Sequence, residues 1–347
     1  MPATRREIVI EALEFRPPPY VPWSWDPTQD CAVKLRAHLG VDDLWHWLAP
    51  HMVTGGAAIA GRSGEVRPGY WRDAFGVVWD KTIDVDIGTP CDWPLKSPQD
   101  LARYEWPNAD DPRAYEHIAG FLTWARGQGL FTLFNIGFSL YERAWTMRGM
   151  EPLLMDMLER PQFVHELLDA IADENLRQIR HALRHDFDAF LFGDDYGMQS
   201  GLIMGIDHWR TFIKPRLARM WAPIRAAGKY IFLHSCGRVD SLFDDLVEIG
   251  LNCFNPFQPE VMDCPALIER YRGRLAFHGG MSVQKVLPFG TVEQVREETR
   301  RLLSAGARGG LIFAPSHAVP RDTPPKNLQA MQEVLTSFSG GACSARL

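Results

Sequence analysis

The chain has 347 residues, 46% of them hydrophobic and 23% charged, with a formal charge of −6; this is ordinary globular material and excludes a disordered or fibrous chain. The negative balance and the lack of any long Lys/Arg run speak against nucleic acid or an anionic membrane as partner, and the longest weakly polar run, 129–141, is shorter than the roughly 20 residues a bilayer requires. Six scattered cysteines, Cys31, Cys91, Cys236, Cys253, Cys264 and Cys343, form no small secreted framework, so reduced thiols and a cytoplasmic location are expected.

In chain order, an amphipathic helix is expected near Arg5 to Glu14, its apolar positions interrupted by Arg6, Glu7 and Glu11 in a way no signal peptide shows. Pro17, Pro18 and Pro19 then forbid helix, Tyr20 to Trp23 can run extended, and a second helix follows from about Asp30 to Leu39. Tyr70 to Ile87 alternates apolar and polar residues about a turn-like centre, the pattern of a hairpin or strand pair. Pro94, Pro98 and Pro107 punctuate a connector.

From Gly129 the pattern becomes regular. Strand-length apolar runs recur at Leu130 to Ile136, Ala189 to Phe192, Tyr230 to Leu233, Asn252 to Phe254, Leu275 to Phe277 and Gly310 to Phe313. Helical patterns separate most of them, at Pro161 to His185, Asp207 to Ala227, Val239 to Ile249, Pro265 to Tyr271 and Val292 to Ala305, and a last one follows at Pro325 to Leu335. Continuously apolar strands alternating with helices predict a parallel sheet. These units, with two strands from the first 90 residues, predict an α/β fold, a single-domain (β/α)8 TIM barrel with an N-terminal elaboration over about 1–125 and regular units over about 129–337. The rival, an open doubly wound sheet, would lack its usual Gly-rich fingerprint.

The richest stretch for chemistry is Tyr230 to Arg238, YIFLHSCGR. Alternate residues of a strand share a face, so His234 and Cys236 bring an imidazole and a thiol to one point, a pair zinc accepts. The competing reading is a core histidine beside a buried thiol. In a parallel barrel the active site lies at the C-terminal ends of the strands. Those ends carry Asn135, Tyr141, Glu142 and Arg143; Asp194, Asp195 and Tyr196; Asn255 and Gln258; His278; and Ser316 and His317. Adjacent carboxylates directly after a buried strand point to a site, whereas Asn255 and Gln258 could equally cap a helix and His278 could be a satisfied rim histidine. His317 is the third ligand candidate, and if the strands end at Leu233 and Phe313 it must come close to both His234 and Cys236.

From about Glu7 to Leu335 the chain resembles the uroporphyrinogen decarboxylase superfamily, whose fold is a (β/α)8 barrel and whose members include methylcobamide:coenzyme M methyltransferases. The resemblance is carried by GFSLYERAWTMRG (Gly137 to Gly149), FGDDYG (Phe192 to Gly197), HSCGRV (His234 to Val239), FHGGMSVQKVLPFGTVEQVREE (Phe277 to Glu298) and GLIFAPSHAVPRDTPPKNLQAM (Gly310 to Met331). Decarboxylases carry an RQAGRY-type motif and an FSDI-like Asp; here the corresponding region reads VPWSWDPTQD, with no Arg. The zinc methyltransferase branch is similar in its His-x-Cys pair and has a later cysteine in an APGC-like segment, where this chain has His317. Decarboxylases also place a histidine there, so His317 alone does not choose between branches.

The resemblance implies zinc held by His234, Cys236 and His317, and a methyl group passing between a small substrate and a carrier, either a corrinoid on a partner protein or a thiol/folate-type carrier. A histidine in place of a thiolate makes such a site less electron-rich, which favours an oxygen or nitrogen substrate. Catalytic roles fall to Asp194, to Asp195 as fourth ligand or general base, and to Tyr196 as hydrogen-bond donor. Tyr141, Trp145, Phe257, Gln258 and His278 are expected to wall the pocket. The alternatives are a decarboxylase using Arg143, Arg148 and Asp194 on a carboxylated substrate, and a non-catalytic small-molecule-binding barrel.

Overall fold

The computed structural model describes residues 2–59 and 63–339; Cys343 lies outside them. Seven strands, β1 (Met52–Gly56), β2 (Phe131–Phe138), β3 (Ala189–Gly193), β4 (Tyr230–His234), β5 (Cys253–Phe257), β6 (Ala276–Met281) and β7 (Leu311–Pro315), form one curled sheet in sequence order. Every pair in it is parallel, and each crossover contains helix, as parallel pairing requires.

Between β7 and β1 lies the stretch 22–24. The Phe313 N–H donates to the Pro22 carbonyl (2.8 Å), Ser24 N–H to the Phe313 carbonyl (3.1 Å) and His51 N–H to the Trp23 carbonyl (2.9 Å). Pro22 offers no N–H, so pairing on this side stops at bridge length instead of growing into a full strand. Of the two strands expected from the first 90 residues, one is therefore this short contact at the end of the predicted Tyr20 to Trp23 run. The other is β1, which the sequence reading missed because its Thr-Gly-Gly end carries little strand signal.

The predicted hairpin exists but belongs elsewhere. Tyr70–Arg72 and Val78–Asp80 pair antiparallel and join Gly64–Arg67 and Thr89–Asp92 in a separate four-stranded sheet, with Trp79, Ile87 and Pro90 over the C-terminal ends of the curled sheet's strands. The curled sheet is barrel-like, with seven strands in place of the expected closed eight. Helix Arg5–Leu13, held by a capping box between Thr4 and Glu7, closes the opposite end, packing Val9 and Leu13 against Met52, Phe131, Phe232 and Ile312. The long helix expected from Asp207 is interrupted by a π-helical turn at Trp209–Ile213 before continuing over Lys214–Ala226.

The two-residue period of the strands decides which side chains reach the lumen. On β4, Tyr230 and Phe232 face inward and Ile231 and Leu233 face the helices; on β3, Ala189 and Leu191 face inward and Phe190 and Phe192 outward. Continuing each strand by its own alternation sends His234 inward, and sends Asp194 outward while Asp195 turns to the lumen.

Candidate functional site

The three predicted ligands converge. One ligand atom from each of His234, Cys236 and His317 lies within 4.8 Å of the other two; Cys236 Sγ is 3.5 Å from His234 Nε2, and the two imidazoles sit edge to face at 5.7 Å. Asp195 stands beside them, its Oδ1 accepting the Cys236 N–H (2.7 Å) and lying 3.8 Å from His234 Nε2. The turn that presents Cys236 is pressed against the loop after β3: a Cβ on Gly237 would come within 2.3 Å of Gly197, so glycine, which also tolerates the φ of 84° found there, is required. Gln258 accepts the Gly237 N–H from the other side (2.6 Å).

A chain of hydrogen bonds sets the tautomer of His234. The Ser24 carbonyl can only accept, so His278 Nε2, 2.9 Å away, must donate to it. Burial holds His278 neutral, far below the usual imidazole value at about 4, which leaves its Nδ1 to accept from Asn255 Nδ2 at 3.3 Å. Asn255 Oδ1 then accepts the His234 Nδ1–H at 2.7 Å. His234 Nε2 is left with a free lone pair aimed at Cys236 and His317, the arrangement a metal-binding imidazole needs.

Behind the triad the carboxyls divide by strand alternation. Asp194 is fully buried; its Oδ1 accepts the Glu142 N–H (2.6 Å), capping helix Tyr141–Arg148, and its Oδ2 accepts from Ser139 Oγ and Tyr196 OH (2.9 Å each). Burial raises its carboxyl to about 7, offset in part by these three donors. Glu142, 7% exposed, is pushed up further, to about 9, by burial first and then by Asp195 and Asp194. Burial, then Asp195, also pushes the Cys236 thiol well above its ordinary value; a bound cation would act in the opposite sense.

Two cavities meet at His234 and His317. An inner one of about 280 Å3 lies in the lumen, walled by Trp25, Asp26, Thr54, Phe232 and His278. An outer one of about 630 Å3 lies under the small sheet, walled by Trp79, Asn135, Glu142, Arg143, Trp145 and Asp195. His234, His317 and Leu191 line both. A further cleft of about 600 Å3, lined by Arg72, Arg103 and Trp106, lies apart from the triad and holds none of the predicted residues.

Residues 91–338 match the family model of uroporphyrinogen decarboxylase (URO-D). The chain belongs to this family. Uroporphyrinogen decarboxylases from Methylococcus capsulatus and Geobacillus kaustophilus are each 24% identical to it, over 193 and 188 residues, covering 53% of this chain and 51% and 50% of theirs. The chain thus spans about half the length of the curated relatives it matches. A solved methyltransferase from Methanosarcina mazei is similar with a TM-score of 0.73 over 97% of this chain and 99% of that one, at 15% identity. At that identity the likeness speaks for the fold. Among the described residues, no helix is long and apolar enough to cross a membrane.

Several expected roles do not survive in this URO-D chain. Asp194 and Tyr196 bond to each other in the barrel wall and line neither cavity, because alternation turns Asp194 away from the lumen. Tyr141 is buried against Tyr196, its hydroxyl without a partner among the described residues, and lines neither cavity. Phe257 stacks on Phe277 at 4.1 Å in the core, since the register shift between Phe254 and Phe257 turns it outward. Gln258 supports the cysteine turn instead of a substrate. Trp145 and His278 do line cavities, one each. Glu142, which the sequence reading placed at a strand end and gave no role, is the missed residue; its position directly after a tyrosine at a helix start carried no sign of burial.

The raised Asp194 carboxyl makes a stability prediction. Its folded value lies above the unfolded one, so its contribution is fully present below about pH 4 and is lost as pH rises through about 7. The swing is about 4 kcal/mol at about 1.4 kcal/mol per unit. In chelator-treated protein, urea midpoints of Asp194→Asn relative to wild type are expected to move in favour of the variant between pH 5 and pH 8. An offset that stays constant with pH would contradict the assignment.

Proposed function

We propose that the chain is a zinc-dependent methyltransferase that moves a methyl group between a small substrate and a carrier of the corrinoid or thiol/folate type. The observation that carries this reading is the convergence of His234 Nε2, Cys236 Sγ and His317 on one point, with the His234 tautomer set for ligation. Two imidazoles and one thiol are a donor set suited to catalytic zinc, which keeps a position open. Zinc bound there would supply a Lewis acid for a substrate heteroatom. The similarity to a methyltransferase over nearly the whole of both chains agrees with this.

The protein's own groups then divide the remaining work. Asn255 and His278 orient the ligating imidazole, Asp195 fixes the Cys236 backbone, and Glu142 holds a proton in the outer cavity where a departing oxygen or nitrogen would take it up. Asn255→Leu leaves the His234 Nδ1–H without an acceptor and is expected to weaken zinc binding by about 10–100-fold. Competition with a chromophoric chelator measures this, and an affinity equal to wild type would remove Asn255 from the scheme.

The decarboxylase reading has the two curated relatives in its favour. Against it, the cations it would need are already engaged: Arg143 pairs with Asp73 and stacks on Phe75, and Arg148 is locked to the buried Asp156. The cavity under the small sheet instead presents Asp84, Glu142 and Asp195, a poor host for a polycarboxylate. The deciding experiment offers zinc-loaded protein cob(I)alamin with a panel of methylated ethers, thioethers and amines and follows methylcobalamin by absorbance. Formation that depends on zinc supports the proposal. No transfer, together with coproporphyrinogen appearing from uroporphyrinogen, overturns it.

A further inference from the structure

The inner cavity carries an acceptor and almost no donor. Among the described residues Asp26 is the one carboxylate in its wall, and no Lys or Arg lines it. No hydrogen-bond donor is seen on that carboxylate among the described residues, and it stands at the exposed rim of the cavity. The donors nearby are already engaged: His278 Nε2–H with the Ser24 carbonyl, Asn255 Nδ2–H with His278, His234 Nδ1–H with Asn255 and Trp25 Nε1–H with Gln332 (3.1 Å). That leaves the Thr54 hydroxyl and the ring N–H of His317. In the zinc-free protein an anionic ligand would find no Lys or Arg and few donors, and would meet Asp26 at close range. A cation would find a carboxylate and the indole of Trp25, fixed in place by its bond to Gln332, available for cation–π contact. The volume, about 280 Å3, is roughly nine water molecules' share of the liquid, which sets the ligand at the small end of the range for pockets.

We infer that the inner cavity is the substrate pocket and that Asp26 makes it selective for a small substrate with an ammonium head, whose other end reaches toward His234 and His317. This deepens the methyltransferase reading and rests on it for the word substrate; binding in the cavity is measured without it. Asp26 lies two residues beyond Ser24, so one short segment supplies both a carboxylate of the pocket wall and the carbonyl that orients His278.

The probes are choline, its uncharged isostere dimethylbutanol with carbon in place of nitrogen, and the dimethylbutyrate anion, each titrated calorimetrically into the full chain with and without zinc. Choline is expected to bind at least tenfold more tightly than the alcohol, and in the zinc-free protein the anion is expected to show no binding. Asp26→Asn is expected to remove the preference for choline, about tenfold or 1.4 kcal/mol, with zinc content unchanged. Ala314→Leu, which fills the lumen from β7, is expected to abolish binding of both choline and the alcohol. Equal affinities for choline and the alcohol, tighter binding of the anion to zinc-free protein, or an Asp26→Asn protein that keeps the preference overturns the inference. If choline binding behaves as expected but no methyl transfer is found, the methyltransferase reading fails and the cation pocket stands.

Discussion

Changing Cys236 to Ala is expected to strip the chain of zinc. Zinc binding by a four-ligand structural site is worth about 10–16 kcal/mol, so one ligand in four accounts for about 3 kcal/mol, or more than ~100-fold in affinity. Here the cysteine supplies the only anionic ligand of the triad, which puts its share above that average. The expectation is about one zinc per wild-type chain after dialysis against a weak chelator and a small fraction of that in the variant, with unchanged circular dichroism because Cys236 lies in a half-buried turn outside the hydrophobic core. His317→Cys is the informative partner: a second thiolate should tighten zinc binding and favour thiol over oxygen substrates. Full zinc occupancy at wild-type affinity in Cys236→Ala would remove the metal site from this triad.

The second large effect is expected at Glu142. Its carboxyl is held protonated at neutral pH by burial and by Asp195 and Asp194, which suits it to protonate a leaving oxygen or nitrogen. Glu142→Gln keeps the shape and removes the proton, so turnover of a methyl ether should fall by about 10²–10⁴-fold. A quaternary ammonium or sulfonium donor leaves as a neutral group needing no proton and should be far less affected. Wild-type turnover of the ether should decline as pH rises through the raised carboxyl value and the variant should lose that limb, while zinc content stays the same. Equal losses for both classes of donor would point to a structural role in the helix start.

How much of this was legible in the sequence depends on the distance over which each relation acts. The parallel strand-helix order and the convergence of His234, Cys236 and His317 follow from period two and from the rule for barrel mouths, and both are readable from apolar runs. The same period separates Asp194 from Asp195; reading the two as one functional pair ignored it, although the lumen-facing Ala189 and Leu191 stand in register with Asp195. Phe257 could not be placed this way, because the register shift before it resets the alternation and has no signature in the residues themselves. β1 escaped because two glycines in five residues erase its apolar pattern. The Ser24–His278–Asn255–His234 chain was beyond reach for a different reason: its members are separately unremarkable polar residues, and only the closing of the sheet makes them neighbours.

That chain of bonds also orders events in the life of the protein. Its last acceptor, the Ser24 carbonyl, is 254 residues from His278 in sequence and is delivered by a stretch that pairs with β7, the final strand to be synthesised. Contacts of such separation carry the largest loop-closure entropy and form late. Until they form, His278 has no fixed donor direction, and nothing upstream holds the His234 proton on Nδ1. A nascent or misfolded chain therefore displays Cys236 and two histidines without the ordered imidazole that favours capture of a metal. On the proposed zinc reading, metal loading would be confined to chains in which the 22–24 stretch has met β7.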